Sequence, residues 1–148
     1  MYRKILIPTD GSELATKAVE HGAKLAKQVG ATVVIVTVTE SWSPLEMADK
    51  VEQGKQNPIE QYETVAGKAA KETLKAAAVL ADAEGIKTET VHIPDREPAV
   101  GIIETADMYD CDLIVMASHG RRGLGRMLLG SQTAEVLAFS KLPVLVLR

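Results

Sequence analysis

Hydrophobic and polar positions alternate along this chain in two distinct rhythms. Five short runs are rich in β-branched residues: "KILIP" (4–8), "TVVIVTV" (32–38), "KTETVHI" (87–93), "DLIVMA" (112–117) and "PVLVL" (143–147). All five read as strands. The first, second, fourth and fifth are almost continuously apolar, the pattern of strands covered on both faces. The third alternates, with Thr88, Thr90 and His92 set against Glu89, Val91 and Ile93, and is expected at a sheet edge with one wetter face.

Between these runs the period changes to that of a helix. Residues 12–29 place Leu14, Ala18, Gly22, Leu25 and Val29 on one stripe, with lysines and a glutamate elsewhere, Ser12 as an N-cap and Gly30 as a terminating glycine. Residues 60–84 repeat the pattern through Tyr62, Ala66, Ala69, Thr73, Ala77 and Leu80, closed by Gly85. Residues 97–109 and 131–141 supply two more helices, the last stopped by Pro143. The order βαβαβαβαβ requires parallel strands joined by right-handed crossovers, hence a three-layer α/β sandwich. Residues 41–58 have no periodicity and carry the only tryptophan; they read as a mobile loop or as a lid over a site. With no internal repeat or linker, residues 1–148 are expected to form one domain.

Composition limits the function classes. With 17 basic and 20 acidic residues the net charge is -3, so the molecule is not built to coat nucleic acid or an anionic membrane, and any anion affinity must be local. A lone cysteine, Cys111, excludes an internal disulfide framework or thiolate zinc site and suits a reducing cytoplasm. No apolar stretch reaches the length of a signal h-region or a membrane span. A cytoplasmic protein is therefore expected, with no nucleic-acid or membrane partner.

In open parallel sheets ligands sit beyond the carboxyl ends of strands where the strand order reverses. The segments after the first and fourth strands are the candidates. "PTDGS" follows the first, with Asp10 at the tip and Gly11 allowing a tight turn into the helix. Asp10 either caps that helix or bonds a ligand. "ASHGRRGLGRMLLGS" (117–131) follows the fourth. It could be a hinge, a basic patch built on Arg121, Arg122 and Arg126, or a phosphate cradle. Gly130 precedes a helix beginning Ser131, Gln132, Thr133, whose free amides and positive end attract an anion. The Ser131 hydroxyl either caps the helix or bonds a phosphate oxygen. Ser118 and His119 are adjacent and their side chains are expected to point apart, which argues against a Ser/His catalytic pair. Cys111 is read as structural, and no residue is assigned a catalytic role. P-loop, G-x-G-x-x-G and G-x-S-x-G motifs are absent from the expected places.

The interval from "SHG" through nine residues to "GS" resembles the universal stress protein signature G-x-x-G-x9-G-[ST], here Ala117, Gly120, Gly130 and Ser131. "KILIPTDGS" and "LPVLVLR" fall where that family has them, so the resemblance spans the whole chain. It implies a Rossmann-like, adenine nucleotide alpha hydrolase-like sheet of order 3-2-1-4-5. It further implies ATP as ligand, with Mg²⁺ at Asp10, in a cytoplasmic stress-response sensor or regulator that hydrolyses ATP slowly at most. The binding residues it implies are Pro8, Thr9, Asp10, Val38, Ala117, His119, Gly120, Gly130, Ser131, Gln132 and Thr133, with adenine near Val38. Ala117 stands where the family has glycine: an ordinary strand conformation accommodates its methyl, whereas a positive φ or a ribose packed on its Cα would make alanine weaken binding. By the same resemblance the uncharged last strand, residues 143–147, is an edge that would join a homodimer. The alternative is a dimeric interaction module of this fold that binds no nucleotide.

Overall fold

The computed structural model describes residues 1–121 and 129–148. Its elements run β1 (Lys4–Pro8), α1 (Glu13–Val29), β2 (Thr32–Val38), α2 (Pro44–Glu52), α3 (Pro58–Asp82), β3 (Thr88–Ile93), α4 (Pro98–Met108), β4 (Leu113–Ala117), α5 (Ser131–Phe139) and β5 (Val144–Leu147). The strands form one parallel sheet of order β3-β2-β1-β4-β5. This is the α/β Rossmann-like arrangement expected.

Alternation along the apolar strands explains the layering. Ile5, Ile7, Val33, Ile35, Leu113 and Val115 pack against Val19, Ala23 and Ala26 of α1 and Leu74, Ala77 and Ala81 of α3. The intervening Leu6, Val34, Val36, Ile114 and Met116 meet Ala99, Ile102 and Ala106 of α4 and Val136 of α5. Burying each such large aliphatic side chain stabilises the fold by roughly 1.5–3 kcal/mol, and both faces contribute. The edges differ: in β3 Glu89 and Thr90 are exposed, and β5 is half-buried throughout.

Helix ends follow local chemistry. Ser12 caps α1 by accepting from the Ala15 amide at 3.3 Å, and Gly30 ends it in the left-handed region at φ 72°. Asn57, at φ 51°, turns the chain into α3, which starts at Pro58 and ends at Asp82, ahead of Gly85. α5 stops at Phe139, where Ser140 turns extended, short of Pro143.

One expectation fails. Residues 41–58, read as without periodic structure, contain the nine-residue helix α2. Its signal is at its ends: Ser43 accepts from the Glu46 amide at 3.4 Å, Pro44 occupies the first turn, and Lys50 lies in the last. Only Met47 is buried along it, so no apolar stripe announces it.

Candidate functional site

The carboxyl ends of β1 and β4 flank the point where the chain leaves the sheet centre in opposite directions, and a crevice of about 500 Å³ opens there. Its walls include the binding residues that the family resemblance implies: Pro8, Thr9, Asp10, Val38, Ala117, His119, Gly120, Gly130, Ser131, Gln132 and Thr133. A volume of this size is typical of small-molecule sites.

The β1–α1 turn is held by its own side chains. Thr9 is buried; its hydroxyl accepts from the Gly11 amide at 3.1 Å, and its carbonyl accepts from the Thr37 hydroxyl at 2.9 Å. Asp10 both turns its own loop and ties it to the next. One carboxylate oxygen accepts from the Ser12 amide at 2.9 Å and the other from the Arg121 amide at 2.8 Å. Burial pushes its pKa up, but hydrogen bonds from Ser12 and Arg121, with the Arg121 charge, outweigh it and hold the carboxyl below the ordinary 3.8. Asp10 is thus ionised at neutral pH, and the helix cap is Ser12.

Gly120 makes this junction possible. A Cβ there would collide with Asp10 Oδ2, so any larger residue must displace the carboxylate that joins the two loops. Gly130 is constrained similarly: a Cβ would lie 3.1 Å from the Ser118 carbonyl oxygen and 3.3 Å from His119 Cα. Its amide donates to that carbonyl at 2.6 Å.

Several predicted roles change in detail. Gly130, not Ser131, is the N-cap of α5; it has no side chain to cap with, and Ser131 is the first helical residue with its side chain exposed beside the crevice. Ser131 and Gln132 line the crevice at the start of α5, where first-turn amides have no intrahelical partner and the helix end attracts anions. Thr133 is buried, and its hydroxyl donates to the Ala117 carbonyl at 2.9 Å, pinning α5 to β4. Gln132 accepts from the Ala99 amide at 2.9 Å and so caps α4, whose own N-cap Glu97 makes no such bond. The Ser118 hydroxyl and His119 Nδ1 do meet, at 3.2 Å, contrary to the expectation that they diverge. Ser118 is buried, and its hydroxyl is a hydrogen-bond partner of the imidazole.

Ala117 lies in regular β4 strand, paired with Leu147, and is not among the positive-φ residues. It is buried with Ala15 and Ala18 of α1. Alanine is accommodated here without backbone strain. Val38 is fixed by α4: a Cβ on Gly101 would come within 2.7 Å of its Cγ1, so the glycine lets α4 close against the end of β2.

Sequence reasoning missed part of the wall. Thr39, Glu40, Tyr62, Ala66, Pro98 and Ile102 also border the crevice. The expected core stripe of α3 is out of register: of Tyr62, Ala66, Ala69, Thr73, Ala77 and Leu80 only Ala77 is buried, Ala69 is exposed, and the buried face runs through Ala70, Leu74, Ala77 and Ala81. Tyr62 instead donates its phenolic hydroxyl to the Glu40 carbonyl at 3.0 Å. Arg121, weighed as a solvated basic residue, lines the crevice with its Nη2 beside Gly11. The readings of Arg122 and Arg126 fall on residues 122–128, outside those described. Cys111 lies elsewhere, buried below β4, where burial pushes its thiol up to about 11. Among the described residues, no cluster of three or more His, Cys, Asp or Glu could hold a metal, and no helix is long and apolar enough to cross a membrane.

Comparison with known proteins places these features. Universal stress protein MJ0531 of Methanocaldococcus jannaschii is 32% identical over 148 residues, covering 100% of this chain and 83% of that protein. The solved structure of hypothetical protein MJ0577, from the same organism, matches with a TM-score of 0.81 at 28% identity, over 99% of this chain and 96% of its own. Two further universal stress protein structures contain adenine nucleotides. One, from Archaeoglobus fulgidus with dAMP, matches at TM-score 0.70 and 23% identity over 99% and 98% of the chains. The other, with cAMP, matches at 0.69 and 24% over 99% and 97%. A family model, that of the Universal stress protein family, matches residues 1–148. By sequence along its whole length and by the order of its strands, this chain belongs to the universal stress protein family.

Proposed function

We propose that the crevice binds an adenine nucleotide, ATP in the resting cell, and that the protein is a cytoplasmic, nucleotide-responsive regulator of the stress response. The observation that carries this reading is the junction of Asp10 with the Gly120–Arg121 backbone beside the uncapped first turn of α5. The same crevice is lined by the apolar Val38, Ile102 and Met116 and by Arg121 and the first residues of α5. A purine suits the first and phosphates suit the second. Relatives solved with dAMP and cAMP support the choice of nucleotide class.

The residues present fit a phosphate-borne Mg²⁺. Asp10 is ionised and borders the crevice, and one carboxylate with ligand phosphates is a usual magnesium environment. Such an ion would screen phosphate charge next to the carboxylate. The chain's own groups do the remaining work: the amides of Ser131 and Gln132 and the Arg121 guanidinium receive phosphate, while Val38 packs on the base. Hydrolysis, if measurable, is slow, and occupancy is the signal. The edge strand β5 joins two copies in a homodimer.

Denaturing the purified protein and separating the released nucleotides tests this reading. Near-stoichiometric adenine nucleotide is the expected result. Protein that neither carries nucleotide nor takes up added ATP would instead be the interaction module of the same fold.

A further inference from the structure

Residues 40–63 carry six acidic side chains and two lysines, a balance of -4, whereas the whole chain carries only -3, which leaves the rest at +1. The acidic charge of the molecule is therefore concentrated on one segment. That segment folds into α2 and the first turns of α3, and between them lies a groove of about 670 Å³. Its floor is apolar, with Met47 and Pro58 buried and Trp42 half-buried. Val51 is 60% exposed and Ile59 37% exposed along its sides, while Glu63 lines its rim. Met47 and Val51 stand one helical turn apart on the same face of α2, which suits an apolar stripe laid alongside.

We propose that this groove docks a cationic amphipathic helix of a partner protein. An apolar stripe spaced i, i+3, i+4, i+7 would fill the floor, and lysines or arginines on its flanks would meet Glu60 and Glu63, the two carboxylates of the segment that line the groove. The charge selects this occupant over others. An anionic membrane surface is repelled by the segment, and a second copy of the chain would bring the same negative segment against it. The groove neighbours the nucleotide crevice at Tyr62 and Glu63 but shares no lining residue with it, so the proposal does not rest on the nucleotide reading.

Trp42 is the only tryptophan and lines the groove, so its emission reports occupancy directly. The probe is a synthetic helical Leu/Lys peptide with that apolar spacing, titrated into the full-length protein. Saturable binding with a blue shift of Trp42 is expected, weakening as salt is raised. The exposed substitution Glu63→Lys should weaken it several-fold. Val51→Ser combined with Ile59→Ser should weaken it about tenfold or more, with far-UV circular dichroism confirming that each variant is folded. Absence of saturable binding would overturn the proposal. So would equal binding of the matching Leu/Glu peptide, an equal shift with phosphatidylcholine vesicles, or a dimer in sedimentation that the Val51/Ile59 variant dissociates.

Discussion

Replacing Gly120 by alanine tests how the two crevice loops are joined. The added Cβ would collide with Asp10 Oδ2, the oxygen that accepts from the Arg121 amide at 2.8 Å. The carboxylate must swing aside, which breaks that bond and disturbs the 2.9 Å bond from the Ser12 amide. A hydrogen bond to a charged group contributes about 1.5–3 kcal/mol, and solvent access to this loop places the loss at the low end, about 1–2 kcal/mol. Urea unfolding followed by far-UV circular dichroism should show that loss in Gly120→Ala. In the background of Asp10→Ala there is no carboxylate to displace, so the same glycine substitution should cost far less. The double-mutant cycle should give a coupling of about 1 kcal/mol. Strictly additive losses would refute direct contact between the two residues and with it the loop junction.

The remaining predictions concern neighbouring groups. Asp10 titrates below its ordinary 3.8 in the native state, so the stability it contributes is full above that value and disappears as pH falls through the depressed one. The urea-midpoint advantage of the wild type over Asp10→Asn should therefore shrink below pH 3.8, and an advantage that grows on acidification would contradict the assignment. Gln132→Ala removes the acceptor for the Ala99 amide and should cost about 1 kcal/mol, with faster amide exchange at Ala99; unchanged exchange there would count against the cap. Burial holds the Cys111 thiol at about 11 against an ordinary 9.0, so stability from keeping it neutral persists below 9.0 and declines as pH rises beyond it. At neutral pH a disulfide reagent should label native protein only at the rate of transient unfolding, and immediate labelling would refute its burial.

The strands were legible as short, β-branched apolar runs, and β1, β2 and β4 are buried as such runs imply, whereas β5, read the same way, is only half-buried because it lies at the sheet edge. α2 was not legible by periodicity, since it buries only Met47; Ser43, Pro44 and Glu46 carried the signal as a capping pattern instead. Both site loops could be located from the glycines and Asp10, but not how they meet. That depends on Asp10 spanning 111 residues of sequence to the Arg121 amide, a contact no local pattern encodes. Likewise Gln132 and Thr133 occupy positions that suggest ligand contact, yet Gln132 accepts from the Ala99 amide of α4 and the Thr133 hydroxyl donates to the Ala117 carbonyl of β4, tying both elements to α5. Tyr62 and Ala66 belong to the stripe expected in the core, whereas the buried face of α3 runs through Ala70, Leu74, Ala77 and Ala81 and both residues line the crevice. Ala117 shows the opposite case: of the two ways its departure from the family signature could weaken binding, the regular strand conformation removes the one that needs a positive φ.

Calorimetric titration of ATP into the nucleotide-stripped wild type and into Ser131→Glu tests nucleotide binding at the α5 end most directly. Ser131 is exposed at the first position of α5, where a glutamate favours the helix electrostatically, so the variant should fold as stably as the wild type. Its carboxylate would occupy the field meant for phosphate. Saturable one-to-one binding by the wild type and a loss of about tenfold or more in the folded variant are expected. No binding by the wild type, or equal affinity in both proteins, would contradict the proposed cradle.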